Sequence, residues 1–176
     1  MTTSKTSRNN ALPNFSMMWQ HPAHLCALGF GSGLIKWAPG TFGSLMGILI
    51  YWPLSDVAIN LKLFIILTLF LFGISICSKT GKAIGVEDHS SIVWDEIVAI
   101  MLVLTFTPHH WFWWLIAFIL FRIFDIFKPF PIRQIEQRVC GGLGVMLDDL
   151  LAAIYSLLAL SILQYSSFIA SLIQRI

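Results

Sequence analysis

From Thr41 onward the chain is a succession of long apolar runs separated by short polar, Gly/Pro or charged breaks. The runs are Thr41 to about Leu54, which follows "APG", then Leu61 to Cys77, Ser90 to Phe106, Trp111 to Phe127, and a last one from near Val145 toward Gln174. They are longer than strands usually are, and the last four hold little Pro or Gly, so the pattern predicts helices. The expected fold is all-α, a compact membrane-embedded bundle of about five to six mainly apolar helices with its acidic motifs clustered at one end. Leu63 to Ser78 is 16 residues, about 24 Å of helix. A bilayer core is about 30 Å thick, so some helices are short for a full span and a tilted or partly re-entrant arrangement stays open. Residues 1 to about 15 read as a polar, disordered leader, followed by an interfacial segment around Trp19 to Phe30. Residues 16–176 then form one domain.

Composition supports a membrane setting. Hydrophobic residues make up 57% and charged residues 11% of the 176, against roughly 25% charged in soluble domains, and mean hydropathy is +0.79. The net charge of +2, with basic residues dispersed in loops, gives no nucleic-acid footprint. Cys26, Cys77 and Cys140 are isolated, so neither a zinc site nor a disulfide framework is indicated. The N-terminal segment lacks the continuous apolar core of a signal peptide. With five spans and the N-terminus inside, Lys5, Arg8, Lys36, Lys79, Lys82, Arg122, Lys128, Arg133 and Arg138 fall on the inner side, and Lys62 and Arg175 on the outer. That asymmetry satisfies the positive-inside rule. Among the acids, Glu87, Asp88, Asp95, Glu96, Asp125, Glu136, Asp148 and Asp149 fall on the same inner side, and Asp56 alone lies outside.

So charge-poor a chain keeps adjacent carboxylates at the mouths of apolar segments, where ionised groups are expensive. Asp88 with Asp95 and Glu96, then Asp125, then Asp148 with Asp149 form three acidic clusters in three segments. Carboxylates drawn from several helix ends can hold Mg²⁺, which takes hard oxygen ligands together with water and substrate phosphate. Asp88 and Asp95, seven apart, share a face if their helix starts early enough. The competing reading is that each acid is an ordinary first-turn charge or a salt-bridge partner. In "FRIFDIFKPFPIRQ", Asp125 lies three residues before Lys128, on one helical face, and three after Arg122. Either base can neutralise it or hold a phosphate oxygen instead. "APGTFGSLMG" is a helix start with Thr41 as cap or first-turn residue, and its free N–H groups suit a phosphate. Gly43 and Gly47 have the spacing for close helix approach. "GGLGVMLDD" reads as a flexible loop delivering Asp148 and Asp149. His89 is placed for proton transfer or as a hydrogen-bonding neighbour, and His109 and His110 read as interfacial anchors beside the Trp cluster. A cysteine phosphatase is excluded, since the positions six after the cysteines are Ser32, Ala83 and Met146. No DxD, GxSxG or HExxH motif occurs.

Taken together, "GFGSGL…APGTFGSL", "DHSSIVWDEIV", "FRIFDIFKPFPI" and "GGLGVMLDDLLA" closely resemble bacterial phosphatidylglycerophosphatase A, from about residue 22 to 155 and in the family's order and spacing. The departures are Lys36, where the first block often carries Pro, and Ala99 and Ala153 at small Gly positions. The resemblance implies an inner-membrane, Mg²⁺-dependent phosphatase, with its active site facing the cytoplasm, that converts phosphatidylglycerophosphate to phosphatidylglycerol and phosphate. On that reading the metal is held among Asp88, Asp95, Glu96, Asp125, Asp148 and Asp149. Catalysis involves Asp95, Glu96, Asp125, Lys128, Asp148 and Asp149, and the substrate is bound by Lys36, Thr41, His89, Arg122 and Lys128. A homo-oligomer is left open. The alternatives are a small ion or solute carrier with an intramembrane acid pathway, and a structural membrane partner whose acids only pair with Lys and Arg. Against the carrier, the acids gather at one end instead of the midplane and no repeated half is visible.

Overall fold

In the computed structural model, residues 13–173 are described, with side chains described through residue 166. The expected polar leader lies outside the described residues up to position 12. Its last residues, 13–15, are described: Asn14 accepts from the Met17 N–H at 2.9 Å and caps the helix that begins at Phe15. The helices are α1 (Phe15–Gln20), α2 (Pro22–Ala27), α3 (Pro39–Tyr51), α4 (Ile59–Ile84), α5 (Trp94–Thr105), α6 (Trp111–Phe127), α7 (Ile132–Arg138) and α8 (Gly141–Ile173). Two 3-10 segments, Gly29–Leu34 and Trp52–Leu54, complete the described secondary structure, and no strand occurs among the described residues. The helix count thus exceeds the expected five to six because the interfacial segment forms α1 and α2 and the segment after Pro131 forms α7.

Local chemistry sets several boundaries. The His21 ring accepts from the Ala23 N–H at 3.0 Å and caps α2, which has Pro22 at its first position. His110 caps α6 in the same way through the Phe112 N–H, while His109 stacks on Trp114 at 5.1 Å. Gly85, at φ 87°, ends α4. The last helix starts at Gly141, not near Val145, so "GGLG" is the first turn of α8 and not a flexible loop.

The centre of the bundle is α5, packed against α3, α4, α6 and α8. Ile97, Ile100, Met101, Val103 and Leu104 on it are at most 1% exposed. Its 12 residues rise about 18 Å, well short of a bilayer core. The expected close approach of α3 falls on this helix. A Cβ at Gly43 would lie 2.7 Å from Val93 Cβ, and one at Gly47 would lie 2.8 Å from the Ile97 carbonyl oxygen. Between apolar helices in lipid, such close packing replaces the hydrophobic effect as the source of association.

The segments Ile59–Ile84 and Gly141–Ser166 are long and apolar enough to cross a membrane. Their outward faces carry exposed Phe64, Leu67 and Leu71 on α4 and Ile154, Leu158 and Ile162 on α8. The helices run up and down, so the starts of α3, α5 and α8 and the end of α6 share one end, with the starts of α5 and α8 beside residues 69–74 of α4. At the other end Lys62 Nζ donates to the Ser55 carbonyl at 2.9 Å, and His109 lies 3.6 Å from Asp56.

Candidate active site

Three helices deliver acids to the shared end. The first turn of α5 supplies Asp95 and Glu96, where free N–H groups favour negative charge. Asp148 and Asp149 come from the opening turns of α8, and Asp125 from the last turn of α6. Burial is deep: Asp95 is 7%, Asp148 5% and Asp149 2% exposed.

These acids form two adjacent groups. In the first, one carboxylate oxygen from each of Asp95, Glu96 and Asp149 lies within 4.8 Å of the others. Asp125 joins its edge through side-chain contact with Asp149, and it is paired with Arg122 at 2.5 Å. Arg122 Nη1 is also 3.9 Å from Glu96. The start of α3 closes over this pair, since a Cβ on Gly40 would lie 3.0 Å from both Arg122 terminal nitrogens and closer still to Glu96 Oε1. Only glycine leaves room there.

The second group is Asp88, Glu136 and Asp148, again within 4.8 Å. It has a resident cation. Lys128 Nζ donates to Asp148 at 2.6 Å and to Glu136 at 2.7 Å. Burial pulls the Lys128 ammonium down, but its bonds to Asp148 and Glu136 outweigh that and hold its pKa above the usual lysine value. Glu87, next to this group, accepts from the Gly141 N–H at 2.7 Å and fixes the start of α8.

The two groups differ in one decisive respect. Asp95 Oδ1, Glu96 Oε2 and Asp149 Oδ2 are buried without a hydrogen-bond partner. A buried carboxylate oxygen without a compensating donor or cation is costly. Asp95, Glu96 and Asp149, grouped within 4.8 Å of one another, make a donor set suited to a divalent cation with a preference for hard oxygen ligands. The residues present therefore fit Mg²⁺, with Asp95, Glu96 and Asp149 as the set that would hold it.

Some expectations need correction. Asp88 and Asp95 do not share a helical face, because α5 begins only at Trp94 and Asp88 precedes it in the connecting loop. Asp88 groups with Asp148, apart from the Asp95 set. Lys128 does not lie on one helical face with Asp125, because it caps α6 in a left-handed conformation at φ 43° and turns toward Asp148 and Glu136. Thr41 is a first-turn residue of α3 whose N–H is already bonded to the Ala38 carbonyl at 3.0 Å. Lys36 is exposed in the bend before α3. His89 accepts from the Ser91 N–H at 3.1 Å, a local turn contact. Glu136 was not singled out from the sequence. Its signal was weak: one acid on a short basic stretch after two prolines.

Fold and site together define the class, an all-helical protein with two helices fit to cross a membrane and a buried polycarboxylate centre at one end of its bundle. The chain belongs to the phosphatidylglycerophosphatase A family, whose model matches residues 25–164, and it is an enzyme of the phosphatase type. It is 48% identical over 162 residues to phosphatidylglycerophosphatase A of Haemophilus influenzae, covering 90% of this chain and 98% of that one. The Escherichia coli phosphatidylglycerophosphatase A is 37% identical over 150 residues, covering 85% and 87%. A Bacteroides thetaiotaomicron protein provisionally named phosphatidylinositol-3-phosphatase is 40% identical over 149 residues, covering 80% and 92%. No solved structure matches the chain.

Proposed function

We propose that this chain is a Mg²⁺-dependent lipid phosphatase that hydrolyses the terminal phosphomonoester of phosphatidylglycerophosphate. The products are phosphatidylglycerol and inorganic phosphate. The names of the Haemophilus and Escherichia relatives support the substrate. The observation that carries the chemistry is the grouping of Asp95, Glu96 and Asp149 within 4.8 Å, each with a buried carboxylate oxygen that has no hydrogen-bond partner. A divalent cation in such a site supplies Lewis-acid polarisation of a phosphoryl group and acidifies a water toward neutral pH.

The chain's own residues do the remaining work. Arg122, anchored by Asp125, presents a guanidinium beside the acids and offers its donors to phosphoryl oxygens. The first turn of α3, laid against that guanidinium through Gly40, adds a positive dipole end. Lys128, held by Asp148 and Glu136, offsets the negative charge of the second group. Burial at the bundle end limits water around the reacting group, which strengthens these electrostatic contributions. In hydrolysis the water oxygen stays on phosphorus, and the leaving glycerol oxygen recovers a proton.

The proposed location is the bacterial inner membrane, with the acid end on the cytoplasmic side. The two apolar helices support membrane association, and the concentration of Arg122, Lys128, Arg133 and Arg138 toward the acid end supports the orientation. A carrier reading gains nothing from the fold, because the described acids other than Asp56 gather at one end of the bundle and not along a midplane path. The test is phosphate release by purified protein in vesicles containing phosphatidylglycerophosphate. Activity should need Mg²⁺, vanish with chelator, and fall about 100-fold or more in Asp95→Asn and Asp149→Asn. Retained helicity by circular dichroism and weakened Mn²⁺ binding by magnetic resonance should accompany the loss. Full activity in both variants defeats the assignment.

A further inference from the structure

Beside α5 an apolar cleft of about 350 Å³ opens between α4, α5 and α8. Its walls include Ile66 and Phe70 of α4, Val98 and Leu102 of α5, and Leu150 of α8. At its head is Asp95, the only ionisable residue among the described residues of its lining. On α5 the lining residues follow helical spacing from Asp95 to Leu102, so the cleft runs down one face of the helix for about 10 Å. Leu67, which is 57% exposed, stands at its mouth on the outward face of α4.

We propose that this cleft binds an acyl chain of the lipid substrate, with the headgroup end of that chain toward Asp95. The inference rests on the phosphatase reading above and names the part of the substrate that this reading leaves unplaced. Three observations carry it. The mouth lies on α4, one of the two helices fit to cross a membrane, so the cleft faces hydrocarbon. The walls are apolar, so water has no partners there, and an empty cleft would forfeit the dispersion contacts of its lining. Its head is a residue of the acid group, which makes the cleft continuous with the place where a phosphate would react. A chain drawn from the bilayer into it keeps its headgroup at the level of the acids.

The experiment uses the full chain reconstituted in phosphatidylethanolamine vesicles, with dioleoyl and dihexanoyl phosphatidylglycerophosphate compared side by side. Ala99→Phe and Leu63→Trp, at two further lining positions, narrow the cleft, and Phe64→Trp is the control on the exposed face of α4. The narrowing variants should raise KM for the dioleoyl substrate about tenfold, the loss of about two buried methylenes. Their kcat should hold, and their rate on the dihexanoyl substrate should stay within about twofold. Equal losses on both substrates, or none on either, overturn the proposal. A second measurement needs no variant. A substrate analogue with a diazirine midway along one acyl chain, added with chelator, should label Ile66, Phe70, Val98 or Leu102 on photolysis, in competition with unlabelled substrate. Labelling confined to Phe64 and Leu71, or matched by a diazirine phosphatidylethanolamine, overturns it. A wild-type protein that hydrolyses neither lipid fails the phosphatase reading, an outcome separate from the labelling pattern.

Discussion

Replacing Asp149 with Asn should move stability in opposite directions with and without metal. Asp149 is 2% exposed and shares a 4.8 Å cluster with Asp95 and Glu96. With an effective dielectric constant near 20, two like charges at 4.8 Å repel by about 3.5 kcal/mol. Asp149 makes two such pairs, and small side-chain rotations and penetrating water relieve much of that repulsion. A net relief of about 2 kcal/mol is a fair expectation for the isosteric amide. For a chain of this size that corresponds to a rise in Tm of about 4–8 °C. Metal reverses the sign. A ligand at 100 times its Kd stabilises the wild type by about 2.7 kcal/mol, and Asp149→Asn removes one anionic oxygen from the set that earns that term. The assay is thermal unfolding of detergent-solubilised protein, followed by near-ultraviolet circular dichroism, in chelator and across a Mg²⁺ titration. In chelator the variant should melt above the wild type, and saturating Mg²⁺ should erase or invert the gap. A variant that melts lower in chelator and keeps the full Mg²⁺ shift would refute the idea that these acids form a repulsive, cation-seeking set.

Lys128→Met leaves the buried Asp148 unpaired and should lower stability by about 3 kcal/mol, while the Glu136 arm, one third exposed, adds under about 1 kcal/mol. Because the folded-state pKa of Lys128 lies above its unfolded value, near 10.4, its contribution is complete below that value and lost only as pH rises through the raised one. The Tm difference between wild type and Lys128→Met should therefore not shrink between pH 6 and pH 9, and a gap that does shrink over that range contradicts the pairing. Gly47→Val forces atoms against the Ile97 carbonyl, which already lies 2.8 Å from a bare Cβ. It should cost about 1–3 kcal/mol or prevent folding, and an unchanged Tm would mean that α3 and α5 are not in contact. Glu87→Ala removes the acceptor for the Gly141 N–H and should cost about 1 kcal/mol, read as faster amide hydrogen exchange confined to the first turn of α8.

The positions of Asp95, Glu96, Asp125, Asp148 and Asp149 at one end were legible because charge is scarce here and helix polarity alternates from run to run. Once the apolar runs are taken as helices, the end at which each acid sits follows from chain direction alone. What was not legible depends on tertiary contact or on a single backbone angle. Gly141, Gly142 and Gly144 argue locally against a helix, yet α8 begins there. Gly142 packs so closely on the α4 backbone at Ile74 that a Cβ would not fit. Lys128 appears one turn from Asp125 on paper, and its left-handed φ, followed by Pro129, swings it to a different pair of acids. Glu136 becomes visible only when α7 folds back on α8.

The length of α5 explains why the centre lies where it does. A helix of 12 residues enclosed by four others cannot reach both faces of a bilayer, so one of its ends must lie within the bundle. Here the N-terminal end carries Asp95 and Glu96, with the positive pole of the helix behind them. That pole offsets part of the charge of its own acids, but Asp149 comes from α8 and Asp125 from α6. The cations Arg122 and Lys128 are fewer than the acids they serve, and each is already held by carboxylates. The remaining acids, Asp95, Glu96 and Asp149, lie in one 4.8 Å group, and each buries an oxygen without a hydrogen-bond partner. A fold that only needed stability would replace those acids with apolar residues of similar size. Their retention in the least solvated part of the charged end is intelligible if a cation and a phosphate complete the site during turnover.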